Sequence, residues 1–176
     1  RLPVRGLLFA GAAKERDVPI RVGVNAGSLP PLPALAEGEL PPPTGQRMME
    51  AALWEVGLLE ELGFDQIKLS LKAFDVPTTI AAYRAIADKV PYPLHLGITE
   101  AGLPFAGAIR SAVGLGILLF EGIGDTLRVS LTGPPEEEVD VAYEILRSLN
   151  LRQRGPTLIS CPSCGRTEID LLGLAQ

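Results

Sequence analysis

Cys161 and Cys164 are the only two cysteines in the 176 residues, and they stand in the knuckle "CPSCG". Two thiolates at C-x-x-C spacing grip one side of a metal, but tetrahedral zinc or iron needs further ligands. No second pair exists in the chain. The knuckle alone therefore leaves zinc, an iron–sulfur cluster and a redox dithiol open. A second set of chemically useful residues recurs at every other position of four short segments. These are Arg21, Gly23 and Asn25; Lys68, Ser70 and Lys72; His95, Gly97 and Thr99; and Arg128, Ser130 and Thr132. The positions between them are apolar without exception, from Ile20, Val22 and Val24 to Leu127, Val129 and Leu131.

A period of two is the period of a strand, whose side chains alternate between faces. Four strands are expected, over 19–28, 66–73, 93–100 and 126–133, each with one apolar and one polar face. A parallel sheet covered on both sides is ordinarily apolar on both, and a barrel interior is ordinarily filled with branched aliphatics. Cations turned toward such an interior cost on the order of several kcal/mol each unless paired. Glu100 and Asp75 are the only acids near the strand ends. The economical partner is a bound polyanion, phosphate or diphosphate, at the C-terminal ends of the strands. Arg offers it a fork, Lys a point charge, and Asn and Ser neutral hydrogen bonds. On an open, solvated sheet the same alternation would be ordinary surface. Four strands sharing it, each followed by a helix, make that the minority reading.

Glu100 follows a strand end, where barrel enzymes keep catalytic groups. It is either a general acid beside the anion or an ion-pair partner of Lys72 or Arg128, and spacing leaves the two level. His95 sits deeper and is expected to be a hydrogen-bonded core residue. Lys68 lies early in its strand, which makes Lys72 the better anion contact.

The elements that position these groups alternate strictly. Residues 1–16 read as the end of a preceding helix. A helix over 45–63 places Met49, Ala52, Leu53, Val56 and Leu59 on one face. The next is opened by Asp75 with Pro77 in its first turn. A helix near 105–120, rich in glycine and alanine, is built for close approach to a sheet. The last begins at "PPEEEVD", prolines and acids suiting a first turn. Alternating β and α means a parallel sheet with helical crossovers. The proline-rich stretch at about 30–45 reads as an inserted surface loop or lid, and the segment after Asn150 as a linker into a second unit. With 47% hydrophobic residues and a net charge of −5, the composition is globular and argues against a nucleic-acid or polybasic membrane surface. No apolar run reaches the ~20 residues of a membrane span, and there is no basic-then-apolar leader. Two cysteines without a disulfide framework fit a reducing cytoplasm. The chain opens at Arg1 and stops soon after the knuckle, so a fragment of a longer parent is expected.

The segments "PIRVGVNAGSL", "KLSLKAFDV", "PLHLGITEAG", "SAVGLGILLFEGIGDTLRVSLTGPPEEEV" and "RSLNLRQRGPTLISCPSCGRTEIDL" closely resemble the 4-hydroxy-3-methylbut-2-enyl diphosphate synthases. These are iron–sulfur enzymes of the methylerythritol phosphate route to isoprenoids. The likeness runs from about residue 18 to 172, broken at 30–45. It implies an α/β fold: the latter half of a (β/α)8 TIM barrel at 1–150, then the beginning of a small α+β [4Fe–4S] domain at 151–176. It implies a cyclic diphosphate substrate held by Arg21, Asn25, Lys72, Arg128 and Ser130, with Glu100 as proton donor. Cys161 and Cys164 match the first two ligands of a [4Fe–4S] cluster. A third cysteine and a glutamate ligand lie further downstream in the family, and Glu168 is not that glutamate. The implied reaction is a two-electron reductive dehydration with ring opening, fed by ferredoxin or flavodoxin in a bacterial cytoplasm. The implied assembly is a homodimer in which one subunit's cluster domain covers the other's barrel. The earlier strands, with further arginines, are absent, so the segment alone is expected to be inactive. The competing reading is a non-catalytic phospholigand-binding barrel segment with a zinc knuckle.

Overall fold

The computed structural model describes residues 4–32, 34, 38, 40–156, 159 and 165–174. The expected knuckle, Cys161 and Cys164, lies outside the described residues. Helix α1 spans Val4–Glu15, strand β1 Ile20–Asn25, helix α2 Thr44–Glu61, strand β2 Ile67–Lys72 and helix α3 Val76–Ile86. Strand β3 (His95–Gly97), helix α4 (Pro104–Phe120), strand β4 (Thr126–Arg128), helix α5 (Pro135–Ser148) and a short helix α6 (Leu171–Leu174) complete the order.

β1 pairs in parallel with β2, from Ile20–Ile67 to Asn25–Lys72. β3 pairs in parallel with β4 from His95–Thr126 to Gly97–Arg128. A parallel bridge at Leu69–Leu94 joins the two halves, with Leu69 N–H donating to the Pro93 carbonyl at 2.9 Å. Each strand thus lies beside the next in sequence, joined by a helix. That is the wall of a barrel, in line with the alternation of elements.

The apolar strand faces form the core against the helices, as the period of two requires. Leu69, Leu71 and Leu96 are fully buried with Met48 and Ala52 of α2, Tyr83 and Ile86 of α3, and Leu115 and Leu118 of α4. In α2 the inward stripe holds at Ala52, Val56 and Leu59, but Met48 occupies the core while Met49 is only half-buried. α3 starts where the sequence puts it. Asp75 Oδ2 accepts from Thr78 N–H at 2.8 Å, capping the helix and satisfying one orphan donor of its first turn. The expected strands at 93–100 and 126–133 shorten to three residues each, leaving Ser130 two positions beyond β4. β4 is an edge, with no described strand on its far side.

Between Leu29 and α2 the described residues form no regular element, and Arg47 Nη2 donates to the Pro30 carbonyl at 2.6 Å. After α5 the chain turns at Asn150, in the left-handed region at φ 55°. The Arg154 guanidinium then stacks 4.8 Å from the Tyr143 ring centroid. The start of the expected linker therefore rests on α5.

The small residues of α4 serve close packing. A Cβ on Gly114 would lie 2.8 Å from Ile98 Cδ1 and 3.3 Å from Val76 Cγ1, whereas one on Gly116 would meet nothing within 4 Å. Gly114→Val in the parent protein should therefore cost about 1–3 kcal/mol through overpacking. Gly116→Ala should be neutral or stabilising by up to ~1 kcal/mol from helix propensity. Thermal denaturation of the two variants side by side checks the contrast.

Candidate anion-binding site

The strand register turns the alternating pattern into a row. Asn25 pairs with Lys72 and Gly97 with Arg128. Continuing the Leu69–Leu94 bridge in step sets Lys72 beside Gly97. Each of the four is the last residue of its strand. Asn25, Lys72, Gly97 and Arg128 thus form one layer across the C-terminal ends of β1 to β4, on the face away from the helices. The layer beneath holds Gly23, Ser70, His95 and Thr126, and Arg21 and Lys68 pair below that.

Glycine makes this layer possible. A Cβ on Gly97 would stand 2.9 Å from Lys72 Cε and 3.1 Å from the Arg128 carbonyl. The Lys72 stem therefore lies across the bare backbone of β3. Lys72 is only 4% exposed and Ser70 3%. A Cβ on Gly23 would come within 3.3 Å of Ser70 Oγ. Asn25 and Arg128 are exposed at the rim, Arg21 is exposed two layers below, and Lys68 and Ser130 are half-buried.

The cations sit close enough to act on one another. Burial, followed by the charges of Arg128, Arg21 and Lys68, pushes the Lys72 ammonium down to about 8. Burial and the charges of Lys72, Lys68, Arg21 and Arg128 push His95 down to about 4, so its ring is neutral at ordinary pH. His95 Nδ1 lies 2.8 Å from Thr126 Oγ1, so it is hydrogen-bonded as expected, but it stands half-buried on the polar face of β3 and not in the core. Among the described residues none of Arg21, Lys68, Lys72 and Arg128 has a carboxylate within ion-pair distance. The ion pairs found, Arg84–Glu121, Arg147–Glu144 and Arg154–Asp140, lie elsewhere. Asp75 is engaged in its cap. Glu100 is exposed in the loop after β3 at φ 55° and pairs with neither Lys72 nor Arg128. A cluster of cations with a serine and a neutral imidazole beside it suits a multiply charged oxyanion.

Three groups that the sequence reading did not single out also shape this region. Tyr83 Oη and Thr79 Oγ1 reach from α3 to the backbone of β2. Arg110 donates from Nη1 to the Ala101 carbonyl at 2.8 Å and stacks 4.8 Å from the Phe74 ring centroid, tying the loops after β2 and β3 together. Tyr83 and Thr79 were detectable in principle as polar residues four apart on a helix face otherwise buried. Nothing in the spacing of Arg110 points to Phe74.

Four consecutive parallel strands, helical crossovers and an uncompensated cationic layer at the strand C-termini define a segment of a (β/α) barrel with an anion-binding mouth. A family model described as the GcpE TIM-barrel domain matches residues 8–143, and the chain belongs to that family. A protein of Dehalococcoides mccartyi, "4-hydroxy-3-methylbut-2-en-1-yl diphosphate synthase (flavodoxin)", is 60% identical over 99% of the chain and 49% of its own length. The protein of the same name from Geobacter sulfurreducens is 62% identical over 94% of the chain and 46% of its own. One from Streptomyces avermitilis is 53% identical over 96% and 43%. The chain spans about half the length of these relatives.

An anion bound beside Lys72 would favour its charged form and raise its pKa from about 8. Binding should therefore take up protons between pH 8 and 9, and affinity should fall as pH rises through 8. Calorimetry of sulfate binding to the parent protein in two buffers of different ionisation enthalpy measures this uptake, since sulfate does not titrate in that range. The uptake should vanish in Lys72→Met; an unchanged uptake in that variant would remove Lys72 from the site.

Proposed function

We propose that the parent protein of this chain is a 4-hydroxy-3-methylbut-2-enyl diphosphate synthase. It would convert 2-C-methyl-D-erythritol 2,4-cyclodiphosphate by reductive dehydration and ring opening. The observation that carries this reading is the layer of Lys72 and Arg128, with Arg21 and Lys68 behind it, lacking a carboxylate partner among the described residues. A cyclic diphosphate supplies the missing negative charge, and the names of the relatives supply the product class.

Arg21, Asn25, Lys72, Arg128 and Ser130 hold the diphosphate. Their fixed charges stabilise the negative charge that gathers on the phosphoryl oxygen when the ring C–O bond breaks. Pre-aligned donors also hold the ring in one orientation, which removes the entropic cost of finding it. Glu100, on the rim above Gly97, gives its proton to the departing hydroxyl, which leaves as water. Residues 1–150 act as the latter half of the barrel, and 151–176 as linker and start of the cluster domain. Cys161 and Cys164 offer two soft thiolates, a donor set suited to iron–sulfur ligation. With further ligands they would hold a [4Fe–4S] cluster, which would supply two electrons one at a time from flavodoxin, the donor in the relatives' names, or from ferredoxin.

A homodimer fits one further feature. The outer stripe of α4 exposes Phe105, Ile109, Val113 and Phe120, although α3 and α5 flank that helix on both sides. A contiguous apolar surface of this kind marks an interaction site. No described helix is long and apolar enough to cross a membrane.

Arg128→Ala in the parent should raise KM for the cyclic diphosphate at least tenfold while the melting temperature moves by only a few degrees. Glu100→Gln should lower kcat at least a hundredfold with KM within threefold. Steady-state kinetics with a chemical reductant reads both. Anaerobically purified parent should be brown with a reducible [4Fe–4S] signal in electron paramagnetic resonance. Colourless protein with stoichiometric zinc would overturn the enzyme reading in favour of a binding module.

A further inference from the structure

Two backbone bonds that reach beyond the paired strands join the β2 and β3 segments at either end of the seam. Leu69 N–H donates to the Pro93 carbonyl at 2.9 Å, and Thr99 N–H to the Ala73 carbonyl at 3.2 Å. Between these points the Leu71 N–H of β2 and the N–H of Ala73, one residue past it, are taken by hydroxyls from α3. Leu71 N–H donates to Tyr83 Oη at 3.0 Å, and Tyr83 Oη donates to the His95 carbonyl at 2.6 Å. Ala73 N–H donates to Thr79 Oγ1 at 3.2 Å, and the Thr79 hydroxyl turns back to the carbonyls of Asp75 at 3.1 Å and Ala73 at 3.4 Å without reaching β3. Thr79 and Tyr83 stand one helical turn apart and are fully buried.

Step for step with Leu69 and Pro93, the next rung of a parallel ladder would be Leu71 N–H to the His95 carbonyl. The tyrosine hydroxyl sits in the place of that rung. The need to satisfy buried polar groups does not explain it, because the amide and carbonyl would satisfy each other directly. Inserting an oxygen instead widens their separation from the ~2.9 Å of a direct bond to roughly 4.5 Å. The widened seam lies immediately below the layer in which Lys72 crosses Gly97, where a Cβ would already be 2.9 Å from Lys72 Cε.

We infer that Tyr83 and Thr79 are positioning residues: the Tyr83 hydroxyl stands between β2 and β3, the Thr79 hydroxyl draws off the Ala73 N–H that would otherwise bond the Gly97 carbonyl, and together they keep the seam open so that the Lys72 side chain can lie across Gly97 and point into the anion layer. The inference rests on the reading of that layer as the diphosphate site. With the hydroxyls removed the seam closes on a direct rung, and Lys72 shifts relative to Arg21 and Lys68 on one side and Arg128 and His95 on the other. Its ammonium then escapes part of the crowding that those charges impose, while Glu100 remains in place on its loop.

The test uses the full-length, cluster-loaded protein carrying Tyr83→Phe, Thr79→Val or Thr79→Ser, with kcat and KM measured from pH 7 to 10. Tyr83→Phe and Thr79→Val should each raise KM at least fivefold with kcat within threefold. Both should also move the alkaline limb of kcat/KM upward by half a pH unit or more, and Thr79→Ser should restore the wild-type profile. Thr79→Val against Thr79→Ser decides the matter by itself if Tyr83→Phe does not fold. Lowered melting temperatures with KM and the alkaline limb unchanged would make the hydroxyls merely structural and overturn the inference. If wild-type protein shows no alkaline limb and Lys72→Met leaves KM unaltered, the anion layer itself is misread and the inference falls with it. A normal layer with unresponsive hydroxyl variants sinks only the positioning role.

Discussion

The constraint on which this structure turns is the crowding of like charge at one end of a sheet. Lys72 is almost fully buried among Arg128, Arg21 and Lys68, and its proton is correspondingly loosely held. Folding gains nothing from that arrangement. Like charges repel, desolvation adds to the cost, and no described carboxylate relieves it. The opposite face of the same strands must therefore supply the stability. It does so with Leu69, Leu71, Leu96 and Ile98 fully buried under three helices. The two faces divide the work: one holds the barrel wall together, and the other is left electrostatically unfinished.

α3 links the two faces. Its apolar side covers the core through Ile80, Tyr83 and Ile86, while Tyr83 and Thr79 send hydroxyls through the sheet to the backbone beneath the charged layer. One helix thus sets both the packing of the wall and the spacing of the strands that carry the charges. Removal of a buried hydroxyl would be felt on the far side of the sheet, with no direct contact to a ligand.

Much of this was legible in the sequence because its causes are local. Alternation along a strand is fixed by backbone geometry, so the apolar and charged faces could be assigned from spacing. The helix start at Asp75 followed from a capping residue and a proline in the first turn. What the sequence did not reveal depends on neighbours far apart in the chain. The lengths of β3 and β4 depend on which ladder partners are free. The Leu71 N–H of β2 and the Ala73 N–H just past it are taken by Tyr83 and Thr79, so the strand pattern through Thr99 outruns the paired residues. The inward phase of α2 slips from Met49 to Met48 because the sheet selects the stripe. The choice between a general acid and an ion-pair partner at Glu100 was level on spacing, and only the fold shows that neither Lys72 nor Arg128 lies within ion-pair distance of it. Arg110 on Phe74 is a meeting of two loops that no local pattern encodes.

Glu100 carries one further implication. Its backbone occupies a region that costs an L-residue on the order of 1–2 kcal/mol and costs glycine little, and Gly102 two positions on is also at positive φ. Stability at that bend therefore favours a residue without a side chain, and on the proposed reading of Glu100 as a proton donor the loop forgoes that stability to keep a carboxyl beside the strand ends.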